Sequence, residues 1–159
     1  MDKLYVKCVL YAFPNIESIR EQIDELVEKR ALSSMMDTSP AENQCVKMVS
    51  YIFQKEMLSE LEEMTKKVLG KFTLYELDCL DYKYFKIKPR EYYQGFDAKS
   101  RAYFRIQNKI VELFSKRAEK VGLNDMWFNE NCLQLDFFKE LLKRVKERED
   151  AVKKDKNQP

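Results

Sequence analysis

From Ala41 to Leu69 the chain contains neither glycine nor proline, and one apolar stripe runs the length of that stretch. Cys45, Val49, Ile52, Met57, Leu61, Met64 and Val68 recur at helical spacing. The start is signalled by Ser39 as cap, Pro40 at the first helical position and Glu42 three residues after the cap, a capping box. Gly70 closes the run. The stretch therefore predicts one helix of about eight turns. That is longer than a small domain needs, so it forms either the spine of a helical bundle or half of a dimer interface. The rest of the chain agrees with this reading. Only three glycines and four prolines interrupt 159 residues, and Lys, Glu and Leu are abundant. The expected fold class is all-α, a helical bundle in one domain or in two small ones that share a core.

Before this helix, Leu4 to Phe13 reads as a short helix ended by Pro14. A second helix carries Ile16, Ile19, Ile23, Leu26 and Val27 on one face and acids on the other, and ends near Leu32. Residues 1–70 form the expected N-terminal bundle, with dimerisation as its role. After it, Thr73 with Glu76 three residues on makes a second capping box, opening the helix TLYELDCLDYKYF. Pro89 interrupts, PREYY reads as one short helix, and Gly95 allows a sharp turn. A further helix runs from a cap at Ser100 to a stop at Gly122. Asn124 caps a short helix whose Trp127 and Phe128 are expected to dock on the preceding one. A last helix, Leu135 to Glu149, turns Phe137, Phe138, Leu141, Leu142 and Val145 inward. Residues 151–159 read as a charged, disordered tail. The resulting division is 1–70, 71–122 and 123–150, then the tail.

Charge is distributed unevenly along this plan. Residues 1–82 hold 10 basic and 15 acidic side chains, residues 83–120 hold 11 and 4, and residues 121–159 hold 8 and 8. The overall +2 thus conceals a basic middle of +7, which suits a polyanion because each neutralised phosphate releases counterions. Lys83, Lys86, Lys88, Arg90 and Lys99 are the candidates for phosphate contact, interleaved with Tyr84, Phe85, Tyr92, Tyr93 and Phe96. On the helix from Ser100, Arg101, Arg105, Asn108, Lys109, Glu112 and Lys116 share one arc. Ile106, Ile110, Leu113, Phe114 and Val121 lie opposite, with Tyr103 beside them. Arg101, Arg105, Asn108 and Lys109 are the candidate base-reading residues, near the start of the helix where base edges are usually contacted.

Other chemistries find little support. The chain has no histidine, no glycine-rich phosphate loop and no serine in a nucleophile context. Its carboxylates look like caps and solvated faces, so an enzyme is not expected. Cys8, Cys45, Cys79 and Cys132 have no metal-ligand spacing. They read as small apolar residues in a reducing cytoplasm, with neither metal nor cofactor expected. No stretch is long and apolar enough for a membrane span, and cytoplasmic location is expected.

The segment from Lys71 to Gly122 resembles region four of bacterial sigma factors, and more closely the small sigma-like regulators of phages and prophages of the ArpU type. FTLYEL matches the capped opening of their first helix, DYKYF its aromatic-basic end, and SRAYFRIQNKI the start of their second long helix. The connector from Lys86 to Lys99 is shorter than usual for these families, and the long N-terminal half has no counterpart in region four. The resemblance implies a helix-turn-helix, major-groove binding and a role in transcription, with Ser100 capping the recognition helix. The expected function is a DNA-binding regulator of phage or mobile-element type, acting on double-stranded DNA as a homodimer, with RNA polymerase as a partner. Two alternatives stand beside it. One is an accessory DNA-binding factor, such as a recombination directionality factor, that contacts a recombinase. The other is a helical adaptor that binds only protein.

Overall fold

A computed structural model of the chain describes residues 1–34, 41–87 and 101–156. Among these residues every regular element is helical. Seven α-helices follow in order: α1 Lys3–Ala12, α2 Ile16–Ser34, α3 Ala41–Leu69, α4 Leu74–Leu80, α5 Arg101–Lys120, α6 Asp125–Asn131 and α7 Asp136–Lys156. Pro14 lies in a short 3₁₀ turn, Phe13–Asn15, that redirects the chain from α1 into α2. The cap expected at Ser39 with Pro40, and the connector containing PREYY and Ser100, lie outside the described residues.

The core is organised around α1 and α5. Val6, Cys8, Val9, Leu10 and Ala12 of α1 are fully buried, and the helix packs against both α5 and α7. Each such aliphatic side chain contributes about 1.5–3 kcal/mol by leaving water. The buried residues of α1, of the second half of α3, and of α4 to α7 form one continuous cluster. In α6, Phe128 stacks on Tyr5 of α1 at 4.5 Å and meets Phe138 of α7 edge-on at 5.7 Å.

The long helix is present, yet only half of its stripe is covered. Met57, Leu58, Leu61, Met64, Thr65, Val68 and Leu69 are buried. Val46, Val49, Ile52 and Phe53 face water, as do Leu26 and Leu32 of α2. In this outer part α3 packs on α2, with Lys55 holding Asp24 at 2.6 Å and Arg30 lying over the Tyr51 ring at 5.8 Å. Nearer the core, Arg20 pairs with Glu62 at 2.7 Å. The α2–α3 hairpin thus carries an apolar stripe outward, past its last buried residues.

At the other end, residues 151–156 continue α7 to Lys156. Helical spacing lets Lys153 approach Asp150 at 3.9 Å, and α7 is anchored upstream by buried Phe138 and Val145. Phe137, expected inside, is 40% exposed.

Candidate nucleic-acid interface

The residues proposed to read bases lie on α5, so its anchoring comes first. Tyr103, Gln107, Ile110, Val111, Phe114 and Ala118 form its buried face. At the front, Gln107 Nε2 donates to the Cys79 carbonyl oxygen at 2.7 Å. The Tyr103 ring meets Tyr82 edge-on at 6.2 Å. Both contacts tie the start of α5 to α4 and the turn after it. At the back, Ser115 Oγ donates to the Met1 carbonyl at 2.6 Å, and the Arg117 guanidinium lies 4.6 Å over the Phe72 ring. The helix then stops at Gly122, whose φ of 91° is accessible to glycine at little cost. Leu123 N–H donates to Ala118 and Gly122 N–H to Glu119, the double bond pattern of a Schellman ending. Fixed at both ends, the helix holds its outward side chains on a rigid frame.

The preceding unit is built by local signals. Thr73 Oγ1 accepts from Glu76 N–H at 3.3 Å, while Glu76 Oε2 accepts from Thr73 N–H at 3.0 Å. After α4 the chain widens into a π-turn, Asp81–Phe85. Its three rings go to three partners: Tyr82 to Tyr103, Tyr84 to Tyr11 at 4.7 Å, and Phe85 to Phe13 at 5.4 Å. Lys86 ends the turn with a φ of 55°.

Three of the four base-reading candidates point outward together. Arg101, Arg105 and Asn108 are exposed and share one stripe of α5 at the spacing that stacks side chains on a helix face. Lys109 is also exposed but leans toward α4, its ammonium 3.7 Å from Glu76 Oε1. Its charge is therefore shared with a carboxylate that already holds the cap. Farther along, Glu112 interrupts the basic stripe and is paired by Lys3 at 2.9 Å. Lys3 holds the Glu112 carboxyl below the usual carboxylate range, chiefly through this hydrogen bond.

Charge patterning alone does not single out one residue of this face. Phe104, 59% exposed, lies at the margin of this stripe. At 100° per residue it falls about 40° beyond Asn108, outside the polar arc, and its ring meets the Tyr103 ring edge-on at 5.6 Å. An exposed phenyl ring at that margin gives the stripe an apolar contact as well as donors. Such a set can pair arginine with guanine, asparagine with adenine, and a ring with a thymine methyl.

The expected phosphate contacts divide differently. Lys83 is half-buried in the π-turn, with Lys7 and Glu149 as its charged neighbours. Lys83 and Lys86 together line a cleft with Arg144 and Arg148 of α7. None of Arg101, Arg105, Asn108 or Lys109 lines it. Lys88, Arg90 and Lys99 lie outside the described residues.

The described residues contain no group of three or more cysteine, aspartate or glutamate side chains placed to hold a metal ion. All four cysteines are free. Among the described residues no helix is long and apolar enough to cross a membrane. No protein-family profile, curated protein or solved structure matches the chain.

Proposed function

We propose that the chain is a DNA-binding regulator of phage or mobile-element type, which reads duplex DNA with the outer face of α5. The observation that carries this reading is the exposed stripe Arg101, Arg105 and Asn108, with Phe104 at its margin, on a helix whose opposite face is fixed at both ends. In this reading α4, its π-turn and α5 act as a sigma-like helix-turn-helix. Arg101 and Arg105 contact base edges, Asn108 assists, and Lys109 steadies the start of α4 while remaining close enough to reach a phosphate. The basic run of Lys88, Arg90 and Lys99 holds the backbone, as its position just before α5 suggests. RNA polymerase or a recombinase is the protein partner, and the α2–α3 hairpin brings two copies together on one site.

Fluorescence anisotropy with labelled duplexes, over a range of salt, tests this directly. Arg101→Ala or Arg105→Ala should cost about 1–3 kcal/mol on the preferred site and far less on random DNA. Lys88→Ala or Arg90→Ala should weaken all duplexes alike and lower the salt slope by roughly 1 for each phosphate left without its cation. Circular dichroism should show unchanged folding for the exposed arginine variants. If no duplex binds at low salt, the reading fails and the protein-binding adaptor takes its place.

A further inference from the structure

We propose that the cleft between the 3₁₀ turn after α1, the π-turn and α7 binds a phosphorylated small molecule carrying a flat ring, of the nucleotide class. The cleft has a volume of about 470 Å³, within the range of small-molecule sites and too small and concave for a duplex. Among the described residues four cations line it, Lys83, Lys86, Arg144 and Arg148, and no carboxylate does. Of the acids on α7, Glu140 holds Arg144 at 3.0 Å, and Glu149 is paired with Lys7. Lys83 and Arg148 instead lie over aromatic faces, 5.2 Å from the Tyr84 ring and 5.9 Å from the Tyr11 ring. A cation over a ring keeps N–H donors available for an anion, because the ring offers no lone pair.

A further observation agrees with a ligand. Lys83 is held below the usual lysine range, first by burial and then by Lys7, with Glu149 opposing. An anion seated beside it would supply the missing compensation.

The apolar side of the cleft accounts for the ring. Phe137 packs edge-on against Phe138 at 5.2 Å and remains 40% exposed. Together with Leu141 it forms an apolar wall next to the cations. A single phosphate would use the cations and leave this wall wet. A nucleoside alone would use the wall and leave the cations of the cleft without an anionic ligand. A nucleotide satisfies both.

Isothermal titration of the full chain with ATP, inorganic pyrophosphate and adenosine decides the matter. ATP should bind about tenfold or more tightly than either fragment. Lys83→Gln and Arg148→Gln should each weaken ATP by about tenfold, the loss of one charge-assisted hydrogen bond. Lys83→Arg should retain binding. Phe137→Ala should weaken ATP while leaving pyrophosphate unchanged. Arg101→Ala with Arg105→Ala should leave ATP binding intact, which separates this site from the DNA-reading face. No heat with millimolar ATP overturns the proposal, as does ATP binding indifferent to both Arg148→Gln and Lys83→Gln. Pyrophosphate binding as tight as ATP would also overturn it, because the ring would then contribute nothing. Arg148 is exposed, so its variant folds even if Lys83→Gln does not.

Discussion

Cys8, Cys79 and Cys132 are sealed in the core, while Cys45 faces water near the start of α3, and this difference sets which thiol reacts. Burial pushes the Cys79 thiol from the usual 9.0 up to about 11, with Asp78 and Glu76 adding to the rise and a Tyr75 hydrogen bond opposing it. Burial takes Cys8 up to about 12 and raises Cys132 as well. A thiol-reactive probe near pH 8 should therefore label one cysteine quickly and three only as fast as the protein opens. Cys45→Ser should abolish the fast phase, and two fast equivalents in the native protein would contradict the assignment. The same shifts fix a sign for alkaline stability. The folded state keeps these thiols protonated, so their contribution is complete below pH 9.0 and is lost as pH rises through about 11 for Cys79. Thermal melts should accordingly move down across that window. Sequence alone places Cys45 on the same stripe as Val49 and Met57. Periodicity defines a face, but only tertiary packing says whether another element covers it. The exposure of Phe104 and Phe137 is hidden from the sequence for the same reason.

At the scale of single elements, the most local signals are the most readable. The Thr73–Glu76 box, the Asn124 cap and the Gly122 stop all depend on residues within one turn, and each is visible in the sequence. The Thr73 cap offers a clean test, because its hydroxyl is the acceptor for Glu76 N–H. Thr73→Ala should cost about 1 kcal/mol, and Thr73→Asp should retain most of the stability. Urea unfolding would show the first as a lower midpoint at unchanged slope. Equal midpoints for the two variants would mean that α4 is held by its packing alone. The π-turn is not legible. Its extra residue per turn serves three rings with three separate partners, and those partners are spread from Tyr11 to Tyr103. The continuation of α7 past residue 150 follows from its anchoring, since a helix already held at Phe138 can add turns at low cost.

For the whole molecule, the α2–α3 hairpin sets the expectation of assembly. Its outer part leaves Val46, Val49, Ile52 and Phe53 in water, with Phe53 68% exposed, a stripe whose burial would favour a second copy. Sedimentation at micromolar concentration should show a dimer. Val49→Glu with Phe53→Glu should give a monomer without lowering the melting temperature of the core. A wild-type monomer at high concentration would remove both this idea and the pairing of two recognition helices on one site. The all-helical class is readable from the scarcity of glycine and proline. No local pattern tells α1 that its partners are α5 and α7. That placement has a consequence for synthesis. The ammonium of Met1 meets Glu119 across 118 positions of chain, and at about 5–20 residues per second the ribosome takes roughly 6–24 s to make that span. During that interval Val6, Val9 and Leu10 have emerged without the helices that will cover them, whereas α2 and α3 can already pair. Newly made chains should therefore depend on a chaperone that holds their first helix, and the hairpin should gain protease resistance before α1 does.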